Sequence, residues 1–405
     1  MSTPSSLAMR PLVTVSFFHE IALKGLNRRM FVRQAMDNLR KALRGVDAKV
    51  VESRALGATL SYPGDEHWPV LKERLEHILG VERFARAYPV SPTMPAIQEG
   101  VEALLGATAL PETFRISASR ADKSFPMTSP DLNVQLGEWV RLKTGMRVDL
   151  RKPGLDLRVR LRSAAAWLST EEFQGVGGMP VGVSARVAAL LSGGIDSPVA
   201  SYRMMTRGCP VTFIHFHSFP LVEGTSREKA RELVDIVTRY QFQSRLYLVS
   251  LAEIQKRVLL AAEPEYRVVL YRRFMFRIAE AIALKESALA LVTGESVGQV
   301  SSQTLENMLA INAVLARLPV LRPLVAADKE EIVRQARALG TYEVSIQPDE
   351  DCCSLFVPPH PVTRATPESA LSQEADLDVD GLVREAVENA QLWRARWPEE
   401  GPRIS

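Results

Sequence analysis

The apolar residues of the chain follow one spacing before about residue 170 and a different spacing after it. In LDLRVRLR every second residue is apolar and the residues between are Asp156, Arg158, Arg160 and Arg162, which predicts a strand with one basic face. Further strands are predicted in PLVTVSFF, GATLSYP, RFARAYPV and TFRISASRA, and helices from Asn27 onward and in WPVLKERLEHIL. These short mixed elements predict small α+β units.

After the glycine-rich residues 175–184, continuous apolar strands alternate with helices. The strands are VAALL, VTFIHFH, RLYLVSL and ALALVTG, and the helices are SPVASYRMMTR, SREKARELVDIVTRY, a long helix from Tyr266 and DKEEIVRQARALG. This alternation predicts a doubly wound parallel sheet with both faces covered. The apolar residues of GLVREAVENAQLWRARW, from Leu382 to Trp393, are spaced as one stripe of a helix, which we expect to pack on this sheet as core.

Composition narrows the class of protein. The 405 residues allow two to three domains, and 46% apolar with 24% charged residues is ordinary for a globular protein. No apolar run is long enough to span a membrane, and the N-terminus lacks a signal pattern. Three cysteines predict a reducing compartment rather than a disulfide framework. We therefore expect a cytoplasmic protein without membrane contact.

Positive charge is concentrated in the N-terminal part, although the net charge is only +3. Residues 24–44 hold seven basic residues against Asp37, and residues 141–162 hold eight against two acids. Residues 365–405 instead hold nine acids against four basic residues. Such asymmetry is typical of a chain that meets nucleic-acid phosphates with one half. Each cluster alone is equally compatible with a solvated surface.

The segment SGGIDS, residues 192–197, follows the apolar strand VAALL and precedes a helix that starts with Pro198 near its first turn. Ligands bind beyond the carboxyl ends of strands in doubly wound sheets. Glycines bring backbone amides close to an anion, and the helix N-terminus adds its positive end. The loop is neither a Walker A loop nor GxGxxG. It predicts a phosphate site; the alternative is a tight turn without a ligand.

SGGIDS resembles the signature of the PP-loop pyrophosphatases, which split ATP between its α and β phosphates. Longer stretches resemble, in order, the pattern of the tRNA 4-thiouridine synthetases (tRNA sulfurtransferases) over residues 11–364: FFHEIALKGLNRR, RADKSFPMTSPDLN, GGMPVGVSARVAALLSGGIDSPVASYRMMTRG, VTGESVGQVSSQTLENM, VLRPLVAADKEEI and EDCCSLFVPPHPVTR. The resemblance implies a ferredoxin-like domain (residues 1–75), a THUMP RNA-binding domain (76–171) and a PP-loop domain (172–397).

The same resemblance implies the activity: ATP adenylates C4 of a uridine near the bend of tRNA (position 8), and persulfide sulfur then replaces the oxygen. Implied ATP contacts are Leu190, Leu191, Ser192, Gly193, Gly194, Ile195, Asp196, Ser197, His215, Phe216, Arg272, Gly294 and Gln303. Asp196 is expected to act through Mg²⁺ and phosphate placement. Lys329 would stabilise charge developing as the adenylate forms. His215 and His217 have no cysteine or acidic cluster beside them in sequence, so no metal site made by protein ligands is predicted.

The resemblance places Cys352 where the family carries its persulfide, with Cys353 beside it as a candidate resolving thiol. A thiolate can carry a persulfide whose outer sulfur attacks the activated carbon. The alternative is two cysteines packed as small apolar residues. The chain resembles the short form without a rhodanese domain, so a cysteine desulfurase or a carrier protein is the expected sulfur donor. A bridge between neighbouring cysteines is strained, which leaves Cys209 as the other candidate resolving thiol.

We expect a THUMP domain to bind tRNA by shape and backbone. The candidate phosphate contacts are Arg120, Lys123, Arg141, Arg158, Arg160 and Arg162. Family precedent implies a homodimer, and some members also supply sulfur for thiamin thiazole synthesis. Two alternatives stay open: another PP-loop adenylating enzyme, such as an amidotransferase-type or lysidine-type ligase, and a non-catalytic tRNA-binding protein.

Overall fold

The computed structural model describes residues 11–120, 125–162, 165–222, 224–300, 303–348, 356 and 358–398. The chain divides into two compact units at Gly177/Gly178, and each is described by itself. The predicted domain boundaries at residues 75 and 171 stay predictions. Among the described residues, no helix is both long and apolar enough to cross a membrane.

The N-terminal unit is built on one mixed sheet. Its strands are β1 (Leu12–Phe17), β2 (Lys49–Arg54), β3 (Gly57–Ser61), β4 (Val81–Val90), β5 (Thr113–Arg120), β6 (Arg147–Val148), β7 (Leu155–Leu161), β8 (Ala166–Ser169) and β9 (Phe173–Gln174). Its helices are α1 (Arg28–Ala42), α2 (Trp68–Glu76), α3 (Met94–Gly106) and α4 (Ser129–Thr144). The strand order is β2-β3-β1-β4-β8-β7-β5-β6, and β9 also pairs with β4.

Strand β4 joins the two halves of this sheet. Residues 81–87 pair antiparallel with β1, whereas residues 88–90 pair antiparallel with β8. Strand β7 confirms the predicted alternation, because its leucines and Val159 are buried while the residues between them are half-buried. The buried face packs with apolar residues of α3 and α4, including Ile97 and Leu136. The other face holds the arginines predicted from the sequence.

The C-terminal unit is an α/β sheet covered by helices. Its strands are β10 (Val187–Leu190), β11 (Val211–His217), β12 (Gln243–Ser250), β13 (Leu291–Val292), β14 (Val320–Leu321) and β15 (Gln391–Arg396). Its helices are α5 (Asp196–Thr206), α6 (Thr225–Thr238), α7 (Ala252–Ala261), α8 (Arg267–Lys285), α9 (Leu305–Asn312), α10 (Lys329–Leu339), α11 (Tyr342–Ser345), α12 (Pro367–Ser372) and α13 (Val379–Glu388).

The strand order β14-β13-β10-β11-β12-β15 confirms the predicted doubly wound parallel sheet. Strands β10 to β14 pair in parallel with one another. From β10 the chain adds β11 and β12 on one side, then returns to place β13 on the other side. This reversal makes the carboxyl end of β10 the topological switch point, where ligands bind in such folds.

The predicted C-terminal helix is wrong in its second half. Helix α13 ends at Glu388, and β15 then pairs antiparallel with β12, with Trp393 opposite Leu246. Pairing with the edge of the sheet overrides the helical spacing, because β12 would otherwise present unpaired backbone groups. The first half behaves as predicted, since Leu382 and Val383 pack on the core beside α8.

Candidate active site

A cavity of about 710 Å³ lies at the carboxyl ends of β10, β11 and β13. Its volume is that of a site for a nucleotide-sized ligand. Apart from Ile195, the predicted nucleotide contacts all line it: Leu190, Leu191, Ser192, Gly193, Gly194, Asp196, Ser197, His215, Phe216, Arg272, Gly294 and Gln303. The fold thus brings together residues that span more than a hundred positions of sequence. Ile195 instead precedes the first residue of α5.

The SGGIDS loop is closed by its two serines. The Ser192 amide donates to Ser197 Oγ at 2.9 Å, and the Gly194 amide is 3.3 Å from Ser192 Oγ. Gly294, at the end of β13, lies so close to the loop that a Cβ would sit 2.7 Å from the Ser197 nitrogen. A glycine is therefore required there for β13 to approach the N-terminus of α5.

Asp196 and Lys329, which the sequence analysis assigned separate roles, form one ion pair. Lys329 Nζ donates to Asp196 Oδ1 at 2.7 Å, and Gln299 Nε2 lies 3.2 Å from Asp196 Oδ2. Lys329 is the first residue of α10, whose N-cap Asp328 accepts from the Glu331 amide at 2.7 Å. Lys329 is half-exposed and lines a neighbouring cavity of about 370 Å³ rather than the main one.

Arg272 is held in the cavity wall by a buried carboxylate that the sequence analysis missed. Glu295 pairs with Arg272, and it also accepts from Arg322 Nε at 2.7 Å and from Thr293 Oγ1 at 2.8 Å. Burial of the Glu295 carboxyl acts to raise its pKa, but the charges of Arg272 and Arg322 outweigh it and hold the pKa below its usual range. The sequence signal was its position directly after Gly294 in VTGES.

Strand β11 carries two histidines near its carboxyl end, of which His215 lines the cavity. His215 Nδ1 is 2.9 Å from the Leu191 carbonyl oxygen, which orients its ring. Burial, with the neighbouring His215 and Arg227, lowers the pKa of His217 to about 4, so His217 is neutral at pH 7. Within the described ranges, no group of three or more His, Cys, Asp or Glu side chains could hold a metal ion.

One wall of the cavity was not predicted from the sequence. It contains Ser226 and Lys229 of α6, together with Ser345, Gln347 and Pro348. Lys229 is only 6% exposed, and its Nζ donates to the Gln347 carbonyl oxygen at 2.6 Å. Ser345 Oγ donates to the Gly194 carbonyl oxygen at 3.3 Å. This wall therefore contacts the glycine loop.

Cys352, Cys353 and Lys123 lie outside the described residues. Cys352 follows Pro348 by four positions in the sequence. Cys209 is buried immediately before β11, at the amino end of a strand whose carboxyl end borders the cavity. Burial raises the pKa of the Cys209 thiol.

The predicted RNA contacts of the N-terminal unit engage other protein groups. Arg158 Nη1 lies 2.9 Å from Glu172 Oε1, and Arg160 pairs with the same carboxylate. The guanidinium of Arg162 lies over the Trp167 ring.

The remaining two predicted contacts are also engaged. Arg141 pairs with Glu138 of the same helix, and Arg120 donates to the Phe125 carbonyl oxygen at 3.0 Å. These side chains would have to share their hydrogen bonds with a phosphate.

Helix α1 carries basic side chains that are more exposed to solvent than the arginines of β7. Four of its arginines are exposed and line a shallow cavity of about 410 Å³ with Ser53: Arg28, Arg29, Arg33 and Arg40. Of these, Arg40 also pairs with Asp37 at 2.9 Å. The sequence signal was the excess of basic residues over positions 24–44. A groove of this kind, lined by guanidinium groups, suits an anionic ligand such as a phosphate backbone.

A doubly wound sheet with SGGIDS at its switch point defines the PP-loop class of nucleotide-binding protein. Three family models match successive parts of the chain: the ThiI ferredoxin-like domain over residues 15–85, the THUMP domain over 91–171 and thiamine biosynthesis protein (ThiI) over 182–379. A probable tRNA sulfurtransferase of Thermus thermophilus is 49% identical over 390 residues, which cover 96% of this chain and 95% of the relative. The chain belongs to the tRNA sulfurtransferase family.

A second relative and a solved structure support the same family assignment. A probable tRNA sulfurtransferase of Moorella thermoacetica is 41% identical over 376 residues, covering 93% of this chain and 95% of the relative. A solved 4-thiouridine synthetase–RNA complex with bound ATP is 32% identical and matches with a TM-score of 0.85. That match covers 96% of this chain and 100% of the solved chain.

Proposed function

We propose that this protein uses ATP to replace O4 of a tRNA uridine, at position 8, with sulfur, giving 4-thiouridine. The observation that carries the proposal is the cavity at the switch point. It gathers the glycine loop, the Asp196 carboxylate and Arg272 in one place, with Lys329 paired to Asp196 at its edge. Family membership supplies the substrate class, since the relatives are tRNA sulfurtransferases.

In the first step, O4 of the uracil attacks the α-phosphorus of ATP and the bond to the β-phosphate oxygen breaks. Pyrophosphate leaves, and the uracil loses its N3 proton as the C4–O–AMP linkage forms. The loop amides and the N-terminus of α5 are placed to hold the pyrophosphate. Lys329 and Arg272 would offset the negative charge that develops on the phosphates.

The donor set of the cavity fits a Mg²⁺ ion bound jointly with ATP. Such sites use one or two carboxylates together with substrate phosphates. Asp196 offers one carboxylate, whereas Glu295 is engaged by two arginines. When bound, Mg²⁺ would neutralise phosphate charge; Asp196 would then exchange part of its contact with Lys329 for the ion.

In the second step, the outer sulfur of a persulfide on Cys352 attacks C4, and the C4–O bond breaks with release of AMP. The tRNA is then joined to Cys352 through a disulfide. A second thiolate attacks the Cys352 sulfur and forms a protein disulfide with it, which frees the C4 sulfur as 4-thiouridine with its N3 proton restored. An added thiol, such as excess cysteine, must reduce that disulfide before Cys352 can be loaded with sulfur again. Four residues of chain after Pro348 span at most about 14 Å, which suits delivery of sulfur to this cavity.

We assign the second thiol to Cys353 in preference to Cys209. A bridge between neighbouring cysteines is strained, and the strain would make the Cys352–Cys353 disulfide easier to reduce before the next turnover. Cys209 precedes β11, and seven strand residues place it about 20 Å from the cavity edge of the sheet. Its burial and raised pKa also disfavour the reactive thiolate form.

For tRNA, we propose that the exposed arginines of α1 contribute phosphate contacts beside Arg120, Arg141 and the β7 arginines. The sulfur would come from a cysteine desulfurase or a persulfide carrier protein, and the active form would be a cytoplasmic homodimer. The family description also names thiamine biosynthesis, and the same persulfide would serve there. That second role stays a prediction.

Reconstitution tests the proposal. Protein, ATP, Mg²⁺, unmodified tRNA, cysteine and a desulfurase are combined, and AMP, pyrophosphate and thiouridine absorbance are measured. We expect all three products, each dependent on tRNA. AMP without thiouridine would favour another adenylating enzyme of the PP-loop class, and tRNA binding without AMP would favour a non-catalytic protein.

A further inference from the structure

We propose that Lys229 is a positioning residue, which holds the segment leading into Cys352 against the ATP loop and so allows sulfur transfer to follow adenylation. The inference rests on the proposed function, because it takes Cys352 as the sulfur carrier. It is carried by two hydrogen bonds that fix residues 345–348 at both ends.

The first bond comes from Lys229 itself. Its ammonium is buried in α6, and Nζ donates to the Gln347 carbonyl oxygen at 2.6 Å. Lysine is rarely buried to this extent, and a charged donor makes a stronger hydrogen bond than a neutral one. Lys229, Gln347 and Pro348 line both the main cavity and a neighbouring cavity of about 500 Å³. Lys229 therefore fixes the backbone one residue before Pro348.

The second bond joins the same segment to the glycine loop. Ser345 Oγ donates to the Gly194 carbonyl oxygen at 3.3 Å. Ser345 ends α11, and its neighbour Val344 is buried, so the start of the segment is anchored in the core. The described chain therefore runs from Ser345 beside the glycine loop to Pro348 beside Lys229, four positions before Cys352 in the sequence.

Placement matters because the outer persulfide sulfur must approach C4 from one face of the uracil ring after O4 has been adenylated. Misplacement of a reacting group by about 1 Å can lower a rate on the order of 100-fold. Lys229 acts through the Gln347 backbone in this scheme and leaves adenylation to the loop, Asp196 and Arg272. Direct binding of ATP phosphates by the same ammonium is the competing role, and it makes the opposite prediction for AMP formation.

The test uses the full chain with ATP, Mg²⁺, unmodified tRNA, cysteine and a desulfurase. Lys229→Met removes the charge with little change in side-chain volume, and Lys229→Arg keeps the charge but moves the donor atoms. Lys256→Met, on the exposed face of α7, is the matched control. Three quantities are measured for each variant: tRNA-dependent AMP, labelled sulfur on the protein without tRNA, and 4-thiouridine.

We expect Lys229→Met to load sulfur normally and to lower 4-thiouridine formation about 10- to 100-fold, a much larger fall than that of tRNA-dependent AMP formation. Lys229→Arg should show the same pattern with a smaller fall in 4-thiouridine. If Lys229→Met unfolds at a lower temperature than the wild type, the result for Lys229→Arg is the one that tests the proposal. A parallel loss of AMP, a tenfold higher KM for ATP or an unchanged 4-thiouridine yield would each overturn the positioning role. Failure of the proposed function is distinct, because the wild type itself would then give no AMP or no 4-thiouridine.

Discussion

The two units use arginine in different ways. In the C-terminal unit, Arg272 is fixed by the buried carboxylate of Glu295 and points into a cavity of defined volume. In the N-terminal unit, Arg33 is exposed on α1, while Arg160 forms an ion pair with Glu172 of the same unit. A preorganised cation suits the stabilisation of charge that develops during a reaction. Exposed cations suit a large anionic surface, to which each adds a small increment.

The difference has consequences for mutation. Loss of one group in the cavity should remove a large share of the chemistry and leave tRNA affinity intact. Loss of one exposed arginine should reduce tRNA affinity slightly and leave the chemistry intact once tRNA is saturating. The predictions below separate the two kinds of site.

The largest effect is expected for Asp196→Ala. This change removes the cavity carboxylate that pairs with Lys329 and would place the phosphates of ATP. We expect tRNA-dependent AMP formation to fall on the order of 100- to 1000-fold, while the Kd for tRNA stays within about twofold. Filter binding and AMP release measure the two quantities. An equal loss of tRNA affinity would show that adenylation and tRNA binding are not separated between the two units.

A second large effect concerns stability. Glu374 is almost fully buried and accepts paired hydrogen bonds from Arg273 and Arg277 of α8. Glu374→Ala leaves the buried Arg273 guanidinium and the half-buried Arg277 guanidinium without this carboxylate, so we expect the free energy of unfolding to fall by about 3–5 kcal/mol. Glu138→Ala, which breaks the exposed pair with Arg141, should cost about 0–1 kcal/mol. Denaturant titration of both variants makes the comparison.

The contact of Glu374 with its two arginines also predicts how the stability of the protein depends on pH. Burial acts to raise the pKa of Glu374, but hydrogen bonds and charge from Arg277 and Arg273 hold it below the usual range. A carboxyl with a lowered folded-state pKa contributes stability above its unfolded pKa of about 4.3, and this stability is lost as the pH falls toward the folded pKa. Wild-type stability should decline below about pH 4 more steeply than that of Glu374→Ala. Parallel pH profiles for the two proteins would contradict this assignment.

A feature of the fold or of the site could be predicted when the residues that form it are close together in the sequence. SGGIDS and the order of apolar strands predict both the sheet and the position of the cavity, because strand, loop and helix are contiguous there. The pairing of Glu295 with Arg322 and of Lys229 with Gln347 could not be predicted, since these partners are distant in sequence and only the fold brings them together. Trp393 was assigned to a helix because its spacing is helical, while its strand is stabilised by pairing with β12.

In the N-terminal unit, the basic face of β7 could likewise be predicted from the sequence, but the partners of its arginines could not. The alternation of Arg158 and Arg160 with apolar residues correctly predicts the strand and its two faces. The spacing carries no information on Glu172, which lies twelve residues beyond Arg160 and comes within hydrogen-bond distance only after the sheet forms.

A moderate effect is expected for Glu295→Gln. The amide keeps the volume of the side chain but removes the charge that pairs with Arg322 and holds Arg272 in the cavity wall. We expect the KM for ATP to rise about tenfold with a smaller change in kcat, because Arg272 loses its fixed position. Steady-state AMP formation at saturating tRNA measures both constants. An unchanged KM would mean that Arg272 keeps its position without this carboxylate.

The smallest effects should come from single arginines of the N-terminal unit, and they distinguish its two kinds of arginine. Arg33→Ala should weaken tRNA binding about three- to fivefold and lower the slope of log Kd against log salt by about one. Arg160→Ala should change that slope less, because its guanidinium already neutralises Glu172, and should instead lower the melting temperature. Salt titrations of tRNA binding and thermal unfolding are run on both variants. If Arg160→Ala reduces the slope as much as Arg33→Ala does, the ion pair must open when tRNA binds, and the contrast between fixed and exposed arginines would then hold only for the cavity.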